Sequence, residues 1–212
     1  MTPDPVPASL VLASASPARL ATLRSAGLDP QVVVSAVDED AVVAHYQVTD
    51  PQDVALVLAK AKAEDVADRD EVPDGALVLG CDSVLELDGQ VHGKPQDADQ
   101  ATQRWRQMSG STGVLHTGHW LVDTRFGGGQ VGAVASTTIH FATLDDDEIA
   151  AYVATGEPLQ VAGAFTVDGL GGAFVRGIEG DHHGVVGVSL PLLRDLVREL
   201  GGSWTALWSR SR

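Results

Sequence analysis

Apolar and polar positions alternate along this chain in short blocks, and the punctuation between blocks fixes most element boundaries. The apolar run at 10–13 is followed by Ser16 and Pro17, an N-cap and a first helical residue, so the pattern predicts a strand, a tight turn and a helix from 18 to near Gly27. A Val-rich segment at 31–35 predicts a second strand running into an acidic loop that holds Asp38, Glu39 and Asp40. Val54, Leu58 and Ala61 recur at helical spacing and predict a long helix over 53–68. Its exit, 64–74, carries six acidic residues and one Arg and reads as a solvated rim.

The run at 76–81 is continuously apolar, the pattern of a central strand covered on both faces, and is expected to end by presenting Asp82. Segments 84–87 and 91–92 flank Asp88-Gly89, a hairpin signal. A helix over 97–108 turns Trp105 and Met108 inward, and a Gly-bounded turn follows at 109–113. Strands at 116–123 and 133–141, joined across Gly127-Gly128-Gly129, form a long antiparallel pair. A helix at 145–154 has acids in its first turn, complementing its dipole, and stops at Gly156. Beyond it, short strands alternate with Gly-rich turns until a closing helix at 192–200. Such βα units mixed with antiparallel strands predict an α/β fold with a mixed sheet, without internal repeats or a flexible linker.

Composition narrows this picture. At 212 residues and 44% apolar, the chain suits one globular domain, read as 9–212 behind a tail at 1–8. With 14 basic and 29 acidic residues the net charge is −15, which argues against a nucleic-acid polymer as partner. A small polyanion requires a few Lys and Arg to converge, or a divalent cation to bridge it. Cys81 is the single cysteine, so no internal disulfide is available and a reducing, cytoplasmic setting is expected. The segment at 9–15 has the look of a secretory core, but the preceding residues hold Asp4, three prolines and no Lys or Arg, so it reads as a buried strand. No apolar run approaches a membrane span.

Several segments carry candidate chemistry. Ser14, Ser16 and Arg19 surround a helix start, where free N–H groups, two hydroxyls and a guanidinium suit a phosphate; alternatively Ser16 only caps the helix and Arg19 faces water. Asp82, at the mouth of an α/β sheet, can hold a divalent ion or polarise a water, or be a surface carboxylate ending a strand. Lys94 follows Gly93, but the spacing from Gly89 is one residue short of a P-loop and Pro95 replaces its Ser or Thr. Lys60 and Lys62 point to different faces of their helix, one toward a cleft and one toward solvent. Adjacent His182 and His183 lack a third ligand at a diagnostic spacing, Gly169-Leu170-Gly171-Gly172 is a tight loop rather than a dinucleotide fingerprint, and Cys81 lies in a buried run where a thiol stays protonated.

The order and spacing of these segments resemble the Maf family of nucleoside triphosphate pyrophosphatases. The resemblance runs from about Leu10 to Leu200 through LASASPAR at 12–19, VDED at 37–40, LAKAKA at 58–63, GCDSVL at 80–85, HGKP at 92–95, MSGSTGVLHTG at 108–118, GEPLQVAGAF at 156–165, GLGGAFV at 169–175 and GDHHGVVGVSLPLL at 180–193. It implies an elongated mixed sheet in two lobes with flanking helices and a central cleft, similar to inosine triphosphate pyrophosphatases. It further implies hydrolysis of a nucleoside triphosphate to monophosphate and pyrophosphate with Mg2+ or Mn2+, in the cytoplasm, by a protein that often forms a homodimer.

Carried onto this sequence, the family's motifs implicate Ser14, Ser16 and Arg19 in substrate binding, Asp82, Lys62 and Lys94 in catalysis, and Asp82 with Glu39 at the metal. Ala18, Ser83 and Asp168 match positions that tune substrate choice. Ala18 stands where the family has the first of two arginines, Ser111 where its Ser-Gly-Lys-Thr turn has lysine, and Asp168 where it has Gln or Glu, so the preferred base stays open. Arg104, Arg106 and Arg176 are the cations available to offset the charge missing at 18 and 111. The competing class is a nucleotide-binding regulator of division or stress that keeps the anion site without useful catalysis.

Overall fold

The computed structural model describes residues 9–125 and 127–209; the tail read at 1–8 lies outside the described residues. In chain order the regular elements are β1 (Leu10–Leu12), α1 (Pro17–Ser25), β2 (Gln31–Val32), α2 (Glu39–Tyr46), α3 (Pro51–Ala67), β3 (Leu77–Leu87) and β4 (Gln90–His92). There follow α4 (Ala98–Met108), β5 (Thr112–Asp123), β6 (Gln130–Phe141), α5 (Asp146–Ala154), β7 (Val175–Glu179), α6 (His182–Val186) and α7 (Leu190–Glu199). They form an α/β fold around one mixed sheet in the order β2-β1-β3-β5-β6-β7, with β4 as an extra partner of β3.

Only β2, β1 and β3 run parallel; every other pairing is antiparallel. The long strands β5 and β6 pair from Thr112–His140 through Val122–Gln130, so the predicted antiparallel pair is both present and longer than its apolar pattern. The Asp88-Gly89 hairpin turns with positive φ at both residues, as a type I′ turn requires.

Two apolar cores occupy opposite ends of the sheet. At one end Leu10, Leu12, Leu23, Leu79, Leu121 and Leu193 pack together; at the other Leu85, Trp105, Met108, Phe141, Tyr152 and Phe165 do. On the face under α3, contact between helix and sheet is unusually close. A Cβ at Gly80 would lie 2.1 Å from the Ala59 carbonyl oxygen, and one at Gly118 2.2 Å from that of Ala55, so glycine at both positions lets α3 settle directly on β3 and β5.

Several predicted boundaries move. The second strand shrinks to two residues because β1 offers only Val11 and Leu12 as partners. The acidic loop is in fact a helix start: the Asp38 carboxylate accepts from the Ala41 N–H, and Glu39 and Asp40 fill the first turn of α2, where negative charge suits the dipole. The long helix begins two residues early, at Pro51 behind an Asp50 cap. Thr112 and Gly113 leave the predicted turn and join β5. The expected short strands after 156 are 3-10 turns at Glu157–Gln160, Ala162–Ala164 and Leu170–Phe174, with β7 alone forming a strand there and α6 forming on an Asp181 cap. Positive φ at Gly156, Gly163 and Ala164 breaks the extended backbone that strands would need.

Asp82 lies elsewhere than its apolar approach predicts. It does not end a strand but sits inside the eleven-residue β3. Pairing with β5 continues to Glu86 and carries the strand past the point where β1 stops.

Candidate functional site

That mismatch of strand lengths creates the cleft. β1 leaves β3 at Leu79, and β4 joins the same edge only at Leu85, so residues 80–84 have no strand beside them on that edge. Because adjacent side chains of a strand point to opposite faces, Asp82 and Ser83 both reach the open space from either side of the exposed edge. The cleft there has a volume of about 1600 Å³, ample for a nucleotide-sized ligand. Ser14, Ser16, Ala18, Arg19, Glu39, Lys62, Asp82, Ser83, Lys94 and Asp168 all line it.

One wall is the β1–α1 turn. The Ser16 hydroxyl caps α1 by accepting from the Arg19 N–H at 3.3 Å, and Ser14 Oγ accepts from the Ser16 N–H at 3.2 Å. Arg19 is half-buried and turned into the cleft rather than out to the surface. Its Nε donates to the Gly187 carbonyl at 2.8 Å, Nη1 to Ser14 Oγ at 3.1 Å and Nη2 to Ser83 Oγ at 3.3 Å. Ser83 in turn lies 2.9 Å from Thr117 Oγ1, whose own proton goes to the Gly184 carbonyl at 2.8 Å. With the Thr117 proton committed, Ser83 donates to Thr117 and accepts from Arg19, a directed chain joining α1, β3, β5 and α6.

The floor holds the ion cluster. Lys62 Nζ lies 2.5 Å from Asp82 Oδ1 and 2.6 Å from Glu39 Oε1, so one ammonium bridges a buried carboxylate and an exposed one. Lys60, two residues earlier, points elsewhere: it stacks over the Trp120 ring at 5.3 Å and sits 3.9 Å from Glu64. Burial pushes the Asp82 carboxyl above the usual carboxylate range, while the Lys62 and Arg19 charges pull the other way. Neighbouring Cys81 is fully buried with its thiol pushed up to about 11, chiefly by desolvation, and is no nucleophile.

The far wall combines the segment after β4 with the 160–168 loop. Lys94 and Asp168 are both exposed on it. Ser111 faces away from this space, its hydroxyl donating to the Gln107 and Met108 carbonyls at the end of α4. Arg106 pairs with Asp146 on the surface and Arg176 is exposed on β7, so neither adds charge to the cleft walls. Arg104 is buried and donates to the Gly93 carbonyl at 2.5 Å.

Sequence reasoning passed over three contributors. Thr117 and Gly187 complete the Arg19 network from within the motifs at 108–118 and 180–193, which assign neither a role. Glu157 accepts from Tyr152 Oη, Thr166 Oγ1 and the N–H groups of Leu170 and Gly171, binding the loop that presents Asp168. Burial works to raise its carboxyl, but those hydrogen bonds prevail and hold it down at about 2. The signal for it was local: a carboxylate between Gly156 and Pro158, beside a loop rich in glycine.

The donor set also bears on a metal. Asp82 and Glu39 offer hard oxygen ligands, and no group of three or more His, Cys, Asp and Glu poised for a metal occurs among the described residues. Of the cleft residues, these two carboxylates are the ones whose chemistry suits a hard divalent ion that completes its shell with water and substrate phosphates.

Comparison with known proteins adds a family. The family described as Maf-like protein matches residues 9–200. A protein of Streptomyces coelicolor (strain ATCC BAA-471 / A3(2) / M145) named "Nucleoside triphosphate pyrophosphatase" is 58% identical over 99% of this chain and 98% of its own length. Proteins of the same name from Salinispora tropica and Mycobacterium marinum are 56% and 51% identical, over 97% and 94% of this chain and 89% and 96% of their own.

Proposed function

This chain belongs to the Maf-like protein family, and on that premise we propose that it hydrolyses a nucleoside triphosphate to the monophosphate and pyrophosphate. The observation that carries the reading is the Glu39–Lys62–Asp82 cluster on the floor of a cleft whose walls bear Arg19 and Lys94. A triphosphate brings about four negative charges, and in a protein of net charge −15 these must be met locally.

In the mechanism we infer, the free N–H groups at the start of α1, the Ser14 and Ser16 hydroxyls and Arg19 hold the phosphates from one side, and Lys94 does so from the other. Water attacks the α-phosphorus. A new P–O bond forms, the bond from that phosphorus to the bridging oxygen breaks, and pyrophosphate leaves with the electron pair. Asp82 accepts the water's proton; its raised carboxyl is a better base for this than an ordinary Asp. Lys62 orients Asp82 and offsets the carboxylate charge that would otherwise repel the substrate. Asp82 and Glu39 are the residues that would hold a divalent ion, Mg2+ or Mn2+, which would supply further neutralisation of the phosphates. Ala18, Ser83 and Asp168 shape the choice of base. Most of the rate then comes from positioning and charge stabilisation rather than covalent chemistry.

The same reading makes the protein a single domain over 9–212, cytoplasmic, acting on a free nucleotide rather than a nucleic-acid polymer, with a homodimer as the assembly that the resemblance implies. Among the described residues no helix is long and apolar enough to cross a membrane. The test is incubation with Mg2+ and a panel of ordinary and methylated nucleoside triphosphates. Monophosphate plus pyrophosphate is the expected product pair. Stepwise release of orthophosphate, or binding without any turnover, would overturn the reading.

A further inference from the structure

Arg104 stands apart from the other described arginines in being buried, with 6% of its surface exposed, and it has no carboxylate at ion-pair distance among the described residues. A guanidinium removed from water without a counter-charge is costly unless its hydrogen bonds compensate. The bond it makes is to the Gly93 carbonyl, immediately before Lys94.

That carbonyl is a junction. Besides Arg104 Nη1 at 2.5 Å it accepts the Gly163 N–H at 3.1 Å, so one oxygen ties the segment carrying Lys94 to the loop carrying Asp168. The next residue of α4 repeats the hold: Trp105 Nε1 donates to the Ala164 carbonyl at 2.7 Å. Ala164 needs such a hold, because its φ of 62° lies in the left-handed region that residues with a Cβ seldom adopt. Consecutive residues of a helix outside the cleft therefore grip both segments of its far wall.

We propose that Arg104 is a positioning residue for the reaction: by clamping the Gly93 carbonyl it fixes Lys94 at the phosphates and keeps that segment in register with the 160–168 loop. This rests on the pyrophosphatase reading above. Arg104 touches neither substrate nor reacting atoms, and its effect is exerted through Gly93. A lysine at 104 keeps the charge but loses the planar fork that lets guanidinium hold a carbonyl in a fixed direction.

The experiment compares Arg104→Gln and Arg104→Lys with wild type, measuring pyrophosphate release at varied nucleotide concentration in Mg2+, alongside thermal unfolding. The expected result is a kcat/KM about 10-fold or more below wild type for Arg104→Gln, the order set by one charge-assisted hydrogen bond, with most of the change in KM. Arg104→Lys should fall between. Millimolar guanidinium should restore part of the Arg104→Gln activity and leave wild type unchanged. A folded Arg104→Gln enzyme with wild-type constants overturns the proposal, as does a loss that follows only the unfolded fraction and ignores guanidinium. If Arg104→Gln does not fold, Arg104→Lys decides: a folded variant with raised KM supports the clamp, and one with wild-type constants overturns it. An inactive wild type across the whole nucleotide panel instead overturns the pyrophosphatase reading, and the clamp then has no reaction to serve.

Discussion

Lys62 and Asp82, twenty residues apart in sequence, meet at 2.5 Å because α3 lies directly on β3 where glycine clears the way. This contact places a cation beside the one carboxylate that the open edge of β3 exposes to the cleft, and it makes the two residues a single electrostatic unit.

Replacing Asp82 by Asn keeps the shape and an oxygen able to accept from Lys62, but removes the proton acceptor. The expected outcome is a folded protein with turnover abolished, read as pyrophosphate release beside an unchanged unfolding transition. Retained turnover would exclude Asp82 as the base.

Replacing Lys62 by Met removes the nearest charge that lowers the Asp82 carboxyl. Turnover should fall by the equivalent of roughly 1.5–3 kcal/mol for a lost charged hydrogen bond. The acid limb of the pH–rate profile should also move to higher pH, since the carboxylate then needs less acid to be protonated. A limb that stays in place would show that Lys62 does not tune this group.

His119 predicts an acid sensitivity unrelated to the chemistry. It is fully buried, with Nδ1 2.9 Å from the Thr117 carbonyl and Nε2 accepting from the Ser189 N–H at 2.8 Å, which requires the neutral ring. Desolvation lowers its pKa from 6.5 to about 4 in the fold. An unfolded chain therefore binds the proton first: the stabilisation is complete above pH 6.5 and is lost as pH falls from there toward 4, by about 3 kcal/mol in all. Unfolding free energies measured across this range should decline for wild type and decline less for His119→Gln.

Glu157→Gln weakens the anchor of the loop that presents Asp168, because an amide cannot accept four hydrogen bonds as well as a carboxylate does. Its main effect should be on the ratio of kcat/KM values between nucleotides of different base, with a smaller change toward the best one. Its hydrogen bonds hold the wild-type carboxyl down at about 2, so Glu157 stays charged throughout the range in which Asp82 can act as a base, and the wild-type ratio should not change with pH across that range. An unchanged ratio in the variant would remove Glu157 from base selection.

The parts of this protein that were legible in the sequence are those decided by near neighbours. Ser16 and Pro17 start α1 because a cap needs only the N–H three residues on, and Asp88-Gly89 turns the hairpin because both residues tolerate positive φ. The continuous apolar run before Asp82 predicts a buried central strand for the same local reason. Order and spacing of the motifs then pointed to the family. The helix that begins at Glu39 behind its Asp38 cap, where the pattern predicts a loop, and the 3-10 turns after Gly156, where it predicts strands, are the local elements on which sequence and structure part.

Tertiary structure decided the rest. That Asp82 sits within β3 rather than at its end follows from its pairing with β5, a partner whose Gly118 is thirty-six residues further along. That Arg19 turns inward follows from the Gly187 carbonyl, brought back from the far end of the chain. Burial of Arg104 and the grip of Glu157 depend on partners that no periodicity reveals. Hydrophobic patterning and caps act over a few residues and so can be read along the chain, whereas a hydrogen bond between distant segments exists only once strand lengths and helix packing have brought its two atoms within about 3 Å.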